Sequence, residues 1–142
     1  LPAWVGDNGA GCRGTSGVPR LSGSGGDPYL GTRNFRISLR NAPDYGLGVY
    51  LLGFSRTSMS GVPLPFDFGI LGMPGCFLRN STEISSPFLA DDEGEHRAPS
   101  PFPNVPSLRG KFIFVQAMLL DGRANAGGLT LSNSILVRVG RR

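Results

Sequence analysis

The chain has 142 residues, with 14 Lys and Arg against 10 Asp and Glu, a formal net charge of +4, 22 Gly, 12 Pro and two Cys. That length fits one domain able to bury a single core. No run reaches the ~18 apolar residues of a helical membrane span, so no membrane insertion is expected. All but one of the cations are Arg, and they are scattered along the chain; only Arg141 and Arg142 are adjacent. A nucleic-acid binder would cluster them with interleaved aromatics, so a solvated surface is expected and no nucleic-acid partner.

In chain order, residues 1–31 read as a Gly/Ser/Pro-rich arm with an apolar start, Leu1-Pro-Ala-Trp-Val5. Residue 1 is Leu and no charged-then-apolar leader is present, which predicts a processed, exported protein. Residues 32–142 read as the folded domain. Phe35-Arg-Ile-Ser-Leu-Arg40 alternates, with Phe35, Ile37 and Leu39 on one face and Arg36, Ser38 and Arg40 on the other: a half-buried strand with one wet face. A turn at 41–44 comes next. The following strand, 48–54, is apolar on both faces. Residues 57–65 form a loop that Pro63 and Pro65 keep out of any central strand.

Short extended pieces lie at 66–68 and 76–80, and a strand at Ile84–Leu89. The acidic run 91–95 reads as a hairpin tip, and the Pro-rich 97–106 as an edge strand or loop. The strongest strand runs from Lys111 to Leu120. Residues 129–131 lead to the last strand, 134–139. Seven to nine short strands with frequent turns predict an all-β fold, a single β-sandwich of Ig-like or jelly-roll topology, with a small barrel as the alternative. The expected core is Phe35, Ile37, Leu39, Leu51, Phe112, Phe114, Met118, Val137 and Val139. Strands apolar on both faces need a second cover, which the arm, a long loop or another molecule could supply.

Cys12 and Cys76 lie in Gly-rich turns, Gly9-Ala-Gly-Cys-Arg-Gly14 and Gly72-Met-Pro-Gly-Cys76. An even count without a Cys/His cluster predicts one disulfide and an oxidising compartment; the alternative is two unrelated buried thiols.

Several pieces are recognisable together: Gly11-Cys12-Arg-Gly14, Leu51-Leu-Gly-Phe-Ser55, Leu64-Pro-Phe-Asp67, Leu71-Gly-Met-Pro-Gly-Cys76, Pro103-Asn-Val-Pro-Ser-Leu-Arg-Gly110, Phe114-Val-Gln-Ala117 and Gly128-Leu-Thr-Leu-Ser-Asn133. With them the chain resembles a small β-sandwich module that recurs, often C-terminally, in large secreted proteins of planctomycetes and some myxobacteria. The resemblance covers roughly residues 9–140. It implies an exported, disulfide-linked β domain and no established activity. Here the module is expected to be a whole chain rather than an appended tail.

Candidate chemistry is sparse. His96 is the only histidine and is expected in an exposed loop, without the buried carboxylate that a Ser/His/Asp arrangement needs, so no catalytic residues are assigned. Asp91, Asp92, Glu93 and Glu95 match no calcium-loop spacing and read as a solvated turn; no metal and no cofactor are expected. Asn80-Ser-Thr82 is a formal N-glycosylation triplet. Trp4, Tyr29, Tyr45 and Tyr50 are too dispersed to form a sugar-stacking platform.

These features together point to an exported structural subunit, extracellular or at the cell surface, that assembles with copies of itself into a filament or array. Leu1, Trp4 and Val5 of the arm would dock on a neighbouring copy's open sheet edge. The alternative is a monomeric extracellular module that binds carbohydrate, such as surface glycans, or another surface partner.

Overall fold

The computed structural model describes residues 3–29, 32, 34–99, 107 and 110–140. Leu1, most of the Pro-rich 100–109 and Arg141–Arg142 lie outside them. The described residues form twelve strands and no α-helix: β1 (Trp4–Asp7), β2 (Arg20–Ser24), β3 (Arg36–Arg40), β4 (Leu47–Gly53), β5 (Ser58–Met59), β6 (Val62–Pro63), β7 (Phe66–Asp67), β8 (Phe77–Leu78), β9 (Ile84–Leu89), β10 (His96–Pro99), β11 (Phe112–Leu120) and β12 (Leu129–Arg138). A single 3-10 turn, Phe68–Leu71, separates β7 from β8. The fold is all-β and antiparallel. The main sheet has the order β1-β12-β11-β4-β9 and the second β10-β3-β2, with two small hairpins, β5-β6 and β7-β8.

The two larger sheets share one core. Leu21, Ile37 and Leu39 of the second sheet, with Phe35 just before β3, pack with Tyr50, Leu52, Ile113, Val115, Ala117, Leu119, Ile135 and Val137 of the first, with Val139 just after β12. The alternation of β3 sets this arrangement, because its period of two sends Ile37 and Leu39 inward and Arg36, Ser38 and Arg40 outward.

The other face of the main sheet is also covered. Cys12, Met73, Cys76 and Leu131 form a second cluster with Phe68, Met118 and Leu129 against it. The excursion between β4 and β9 and the segment around Cys12 supply this cover, which is why β4 and β11 are apolar on both faces. The Cys12–Cys76 disulfide joins the two pieces of cover, with a Cα–Cα distance of 5.0 Å. Its ends are 64 residues apart in sequence. Loop closure of that length contributes about 4 kcal/mol in the chain-entropy view.

Most of the expected core is buried: Phe35, Ile37, Leu39, Leu51, Phe114, Val137 and Val139. Phe112 is a correction. It remains 41% exposed, because it sits on the outer face at the end of β11, beyond the reach of the cover. Met118 is half-buried against the disulfide cluster.

The segment expected to be an arm is woven into both sheets. β1 pairs with β12, Trp4 opposite Arg138 and Val5 opposite Val137, and β2 pairs with β3, Leu21 opposite Leu39. After β1 the chain stays on β12, with bonds from Asn8 N–H to the Ser134 carbonyl and from Cys12 N–H to the Leu131 carbonyl. Gly11 makes that approach possible, since a Cβ there would lie 2.6 Å from the Leu131 carbonyl oxygen.

Candidate functional site

The most distinctive surface is the solvent face of the second sheet. Arg20 of β2 lies opposite Arg40 of β3, Ser22 opposite Ser38, and Ser24 opposite Arg36. On the other side of β3, Arg97 of β10 lies opposite Ser38. Since Leu21, Ile37 and Leu39 point inward, four arginines and three serines share the outward face. Arg20, Arg40 and Arg97 are exposed. The Ser24 and Ser38 hydroxyls are bonded to each other at 2.7 Å. Ser22, Ser24, Ser38, Arg40, Arg97 and Glu95 line a shallow groove of about 390 Å³ across this face. Glu95 immediately precedes β10 and marks one corner.

Beneath the same sheet lies the histidine. His96 is in β10 and faces inward, a correction to the exposed loop position expected for it. Opposite Leu39, it is drawn between the sheets by the same period-two alternation. Its Nδ1 is 2.7 Å from the Tyr50 hydroxyl, and its ring packs on Phe88 with centroids 4.9 Å apart. Burial holds the imidazole below its ordinary pKa, an effect that the charge of Asp91 partly opposes. Burial also raises the pKa of the Tyr50 phenol, so the phenol stays protonated. Asp91 accepts the backbone N–H groups of Glu95 and Glu93, each at 2.9 Å, and those bonds hold its carboxyl below the usual range. It is therefore the organising residue of the hairpin turn.

The sequence-derived site residues fall in different places. Cys12 and Cys76 are bonded to each other. Trp4 and Val5 form β1 within their own sheet, and the Trp4 ring lies over Gly6, 2.5–3.0 Å from where a Cβ would be. Leu1 is outside the described residues. Tyr50 is in the core, Tyr29 is half-buried and Tyr45 projects from a turn, so the tyrosines are dispersed. Asn80 is fully buried. Its amide donates to the carbonyls of Leu51 and Ser81, and its oxygen accepts the Ser134 hydroxyl at 2.8 Å. The Asn80-Ser-Thr82 triplet is thus closed to glycosylation in the folded chain.

A polar seam through the main sheet's covered face has no counterpart in the sequence pattern. Gln116, fully buried, accepts Arg79 N–H and donates to the carbonyls of Phe77 and Ser132, all at 2.9 Å. Asn133 binds both backbone groups of Leu21, accepting its N–H at 2.6 Å and donating to its carbonyl at 3.0 Å, and so ties β2 to the main sheet. A further groove of about 730 Å³ is lined by Phe54, Arg56, Phe112 and Phe114 among others, with the Arg56 guanidinium 6.0 Å from the Phe114 ring centroid.

In the sequence the arginines of the second sheet look like dispersed surface charge. Only Arg36-Ile-Ser-Leu-Arg40 carries a signal, the wet side of an alternating strand. Pairing with Arg20 and Arg97 depends on strand register, which sequence spacing does not give. Comparison with protein-family models, curated proteins and solved structures found no match.

Proposed function

We propose that the chain is an exported, self-contained binding module that presents the outer face of β10-β3-β2 to glycans at or beyond the cell surface. The observation that carries this reading is the arginine–serine face: a polar, grooved surface rich in hydrogen-bonding groups and backed by a buried apolar core. The fold is taken to be a β-sandwich of the kind that Ig-like and jelly-roll modules use. Export is supported by the disulfide, since such bonds persist in oxidising compartments. The module is taken to be non-catalytic, because Tyr50 occupies Nδ1 of its one histidine and no carboxylate bonds to that ring among the described residues.

Self-assembly is the second reading. It is favoured by one specific feature: among the described residues no strand pairs with the outer edges of β1 and β9, the two edge strands of the main sheet, and such edges accept an added strand. The arm itself argues for the monomer, since β1 already pairs with β12 and the disulfide anchors the chain again at Cys12. Light scattering at high concentration together with a glycan array tests the choice. A species of about 15.0 kDa that is retained on glycans is expected. Fibres under the electron microscope, or a monomer that binds no glycan, would overturn the binding-module reading.

A further inference from the structure

We infer that the ligand of this face is an acidic polysaccharide, a chain of uronate or sulfated sugars. The inference rests on the binding-module reading and deepens it. Arg20 and Arg40 stand directly opposite each other across the β2-β3 ladder. Like charges in that position repel and destabilise a sheet. Among the described residues no ion pair or hydrogen bond engages the side chains of Arg20, Arg40 or Arg97. Glu95, one step beyond the β10-β3 ladder and beside Arg40 in the same groove, forms no ion pair with these arginines among the described residues, so the repulsion it leaves is open to relief by an external anion.

Protection of sheet edges does not explain the pattern. Arginines on β2 and β10 would guard edges, but Arg40 is on β3, the central strand of this sheet. That central position needs another reason, and an anionic partner supplies one.

The geometry selects the class of anion. A guanidinium presents a planar fork that matches a carboxylate or sulfate with two parallel bonds. Neighbouring strands lie roughly 4.8 Å apart, and same-face residues along a strand lie about 6.8 Å apart. The arginines are thus spread over a flat patch rather than gathered around one point, which suits a repeating polyanion better than a single small anion. Ser22, Ser24 and Ser38 lie between them with hydroxyls that can exchange hydrogen bonds with sugar hydroxyls. Among the described residues the strands give this face no aromatic side chain, so it lacks the stacking surface with which single-stranded nucleic acid is held. Nor do they give it a large apolar side chain to enter a bilayer interface. Glu95 repels an anion at one corner, directing the chain along Arg20, Arg40, Ser38 and Arg97.

The test uses the full chain on immobilised polygalacturonate and dextran sulfate, with neutral dextran, single-stranded DNA and phosphatidylglycerol vesicles as comparisons. The Arg20→Ala/Arg40→Ala/Arg97→Ala variant, altered only at exposed positions, should bind the acidic glycans about ten-fold more weakly and with a flatter salt dependence. The Arg13→Ala/Lys111→Ala/Arg123→Ala variant loses the same charge elsewhere and should bind as the parent does. Glu95→Gln should bind more tightly. The inference fails if the two triple variants are equally weakened, which would mark net charge alone. It also fails if DNA or vesicles hold the protein at higher salt than the acidic glycans do. Retention on neutral glycans alone, unchanged in either triple variant, overturns the acidic-ligand inference and keeps the binding-module reading; retention on none of the glycans overturns both.

Discussion

Replacing Gln116 by Leu should detach the cover from the main sheet's outer face. Gln116 holds three backbone groups at once: Arg79 N–H, the Phe77 carbonyl and the Ser132 carbonyl. Leucine fills a similar volume but satisfies none of them, and the site is fully buried, so water does not replace the amide. An N–H left without an acceptor costs about 1–3 kcal/mol, and each lost bond to a carbonyl about 0.5–1.5 kcal/mol. The added apolar burial offsets about 1 kcal/mol. The net loss is therefore about 1–5 kcal/mol, centred near 3, a large share of the roughly 5–15 kcal/mol that stabilises a domain. Urea unfolding followed by Trp4 fluorescence or circular dichroism gives the number. Hydrogen exchange gives the location: the Arg79 amide should lose protection before the amides of β11 do. A cost under ~1 kcal/mol, with Arg79 still protected, would show that the cover is held by its apolar contacts and the disulfide, and that the amide contributes little.

Histidine titration, the disulfide, the core and the first strand each give a separate expected outcome. His96 has its pKa lowered in the folded chain, so the unfolded chain binds the proton more readily; stability is complete above the ordinary histidine pKa and falls as pH drops through the folded value. Since His96 is the only histidine, the urea midpoint should fall between pH 7.5 and pH 5 in the parent and change less in His96→Asn; parallel profiles would refute this. Cys12→Ser/Cys76→Ser should lose about 4 kcal/mol from loop closure, and the intact mass should rise by two hydrogens when the parent is reduced; unchanged stability would remove the disulfide from the account. Phe35→Ala should cost about 3–5 kcal/mol and Phe112→Ala under ~1 kcal/mol, a contrast that the same unfolding curves check. Deleting residues 1–7 bares the apolar edge of β12, so self-association should rise; a fall would restore the arm as a connector between copies.

What the sequence makes legible is local and periodic. β3 shows its inward and outward sides in five residues, and β9 and β11 appear within a residue or so of where sequence spacing places them. β1 and β2 leave no such trace. Trp4–Asp7 and Arg20–Ser24 are short, contain glycine, and read as a tether. They are strands because β12 and β3 offer them ladders, and the β12 residues opposite β1 lie more than a hundred positions away. Tertiary context, not propensity, decides such segments.

β12 shows the same limit from inside a strand. Ser132, Asn133 and Ser134 interrupt its apolar run, and from sequence they divide it into a lead-in at 129–131 and a strand at 134–139. In the fold it is one ladder, with a register shift against β11 between Gln116 and Met118. A bulge places an extra residue on one strand and turns side chains from their ordinary face. Here that change gives Ser132 the Ala117 N–H and Asn133 the two backbone groups of Leu21. The polar triplet that looks like a break is therefore the joint between the sheets. It fixes β2 beside the core, and with β2 the position of Arg20 opposite Arg40. The proposed recognition face thus depends on a buried hydrogen-bond pair on its far side. Asn133→Leu should loosen β2 and weaken acidic-glycan binding while leaving every arginine in place. Full binding by a folded Asn133→Leu protein would show that the face is set by the β2-β3 ladder alone.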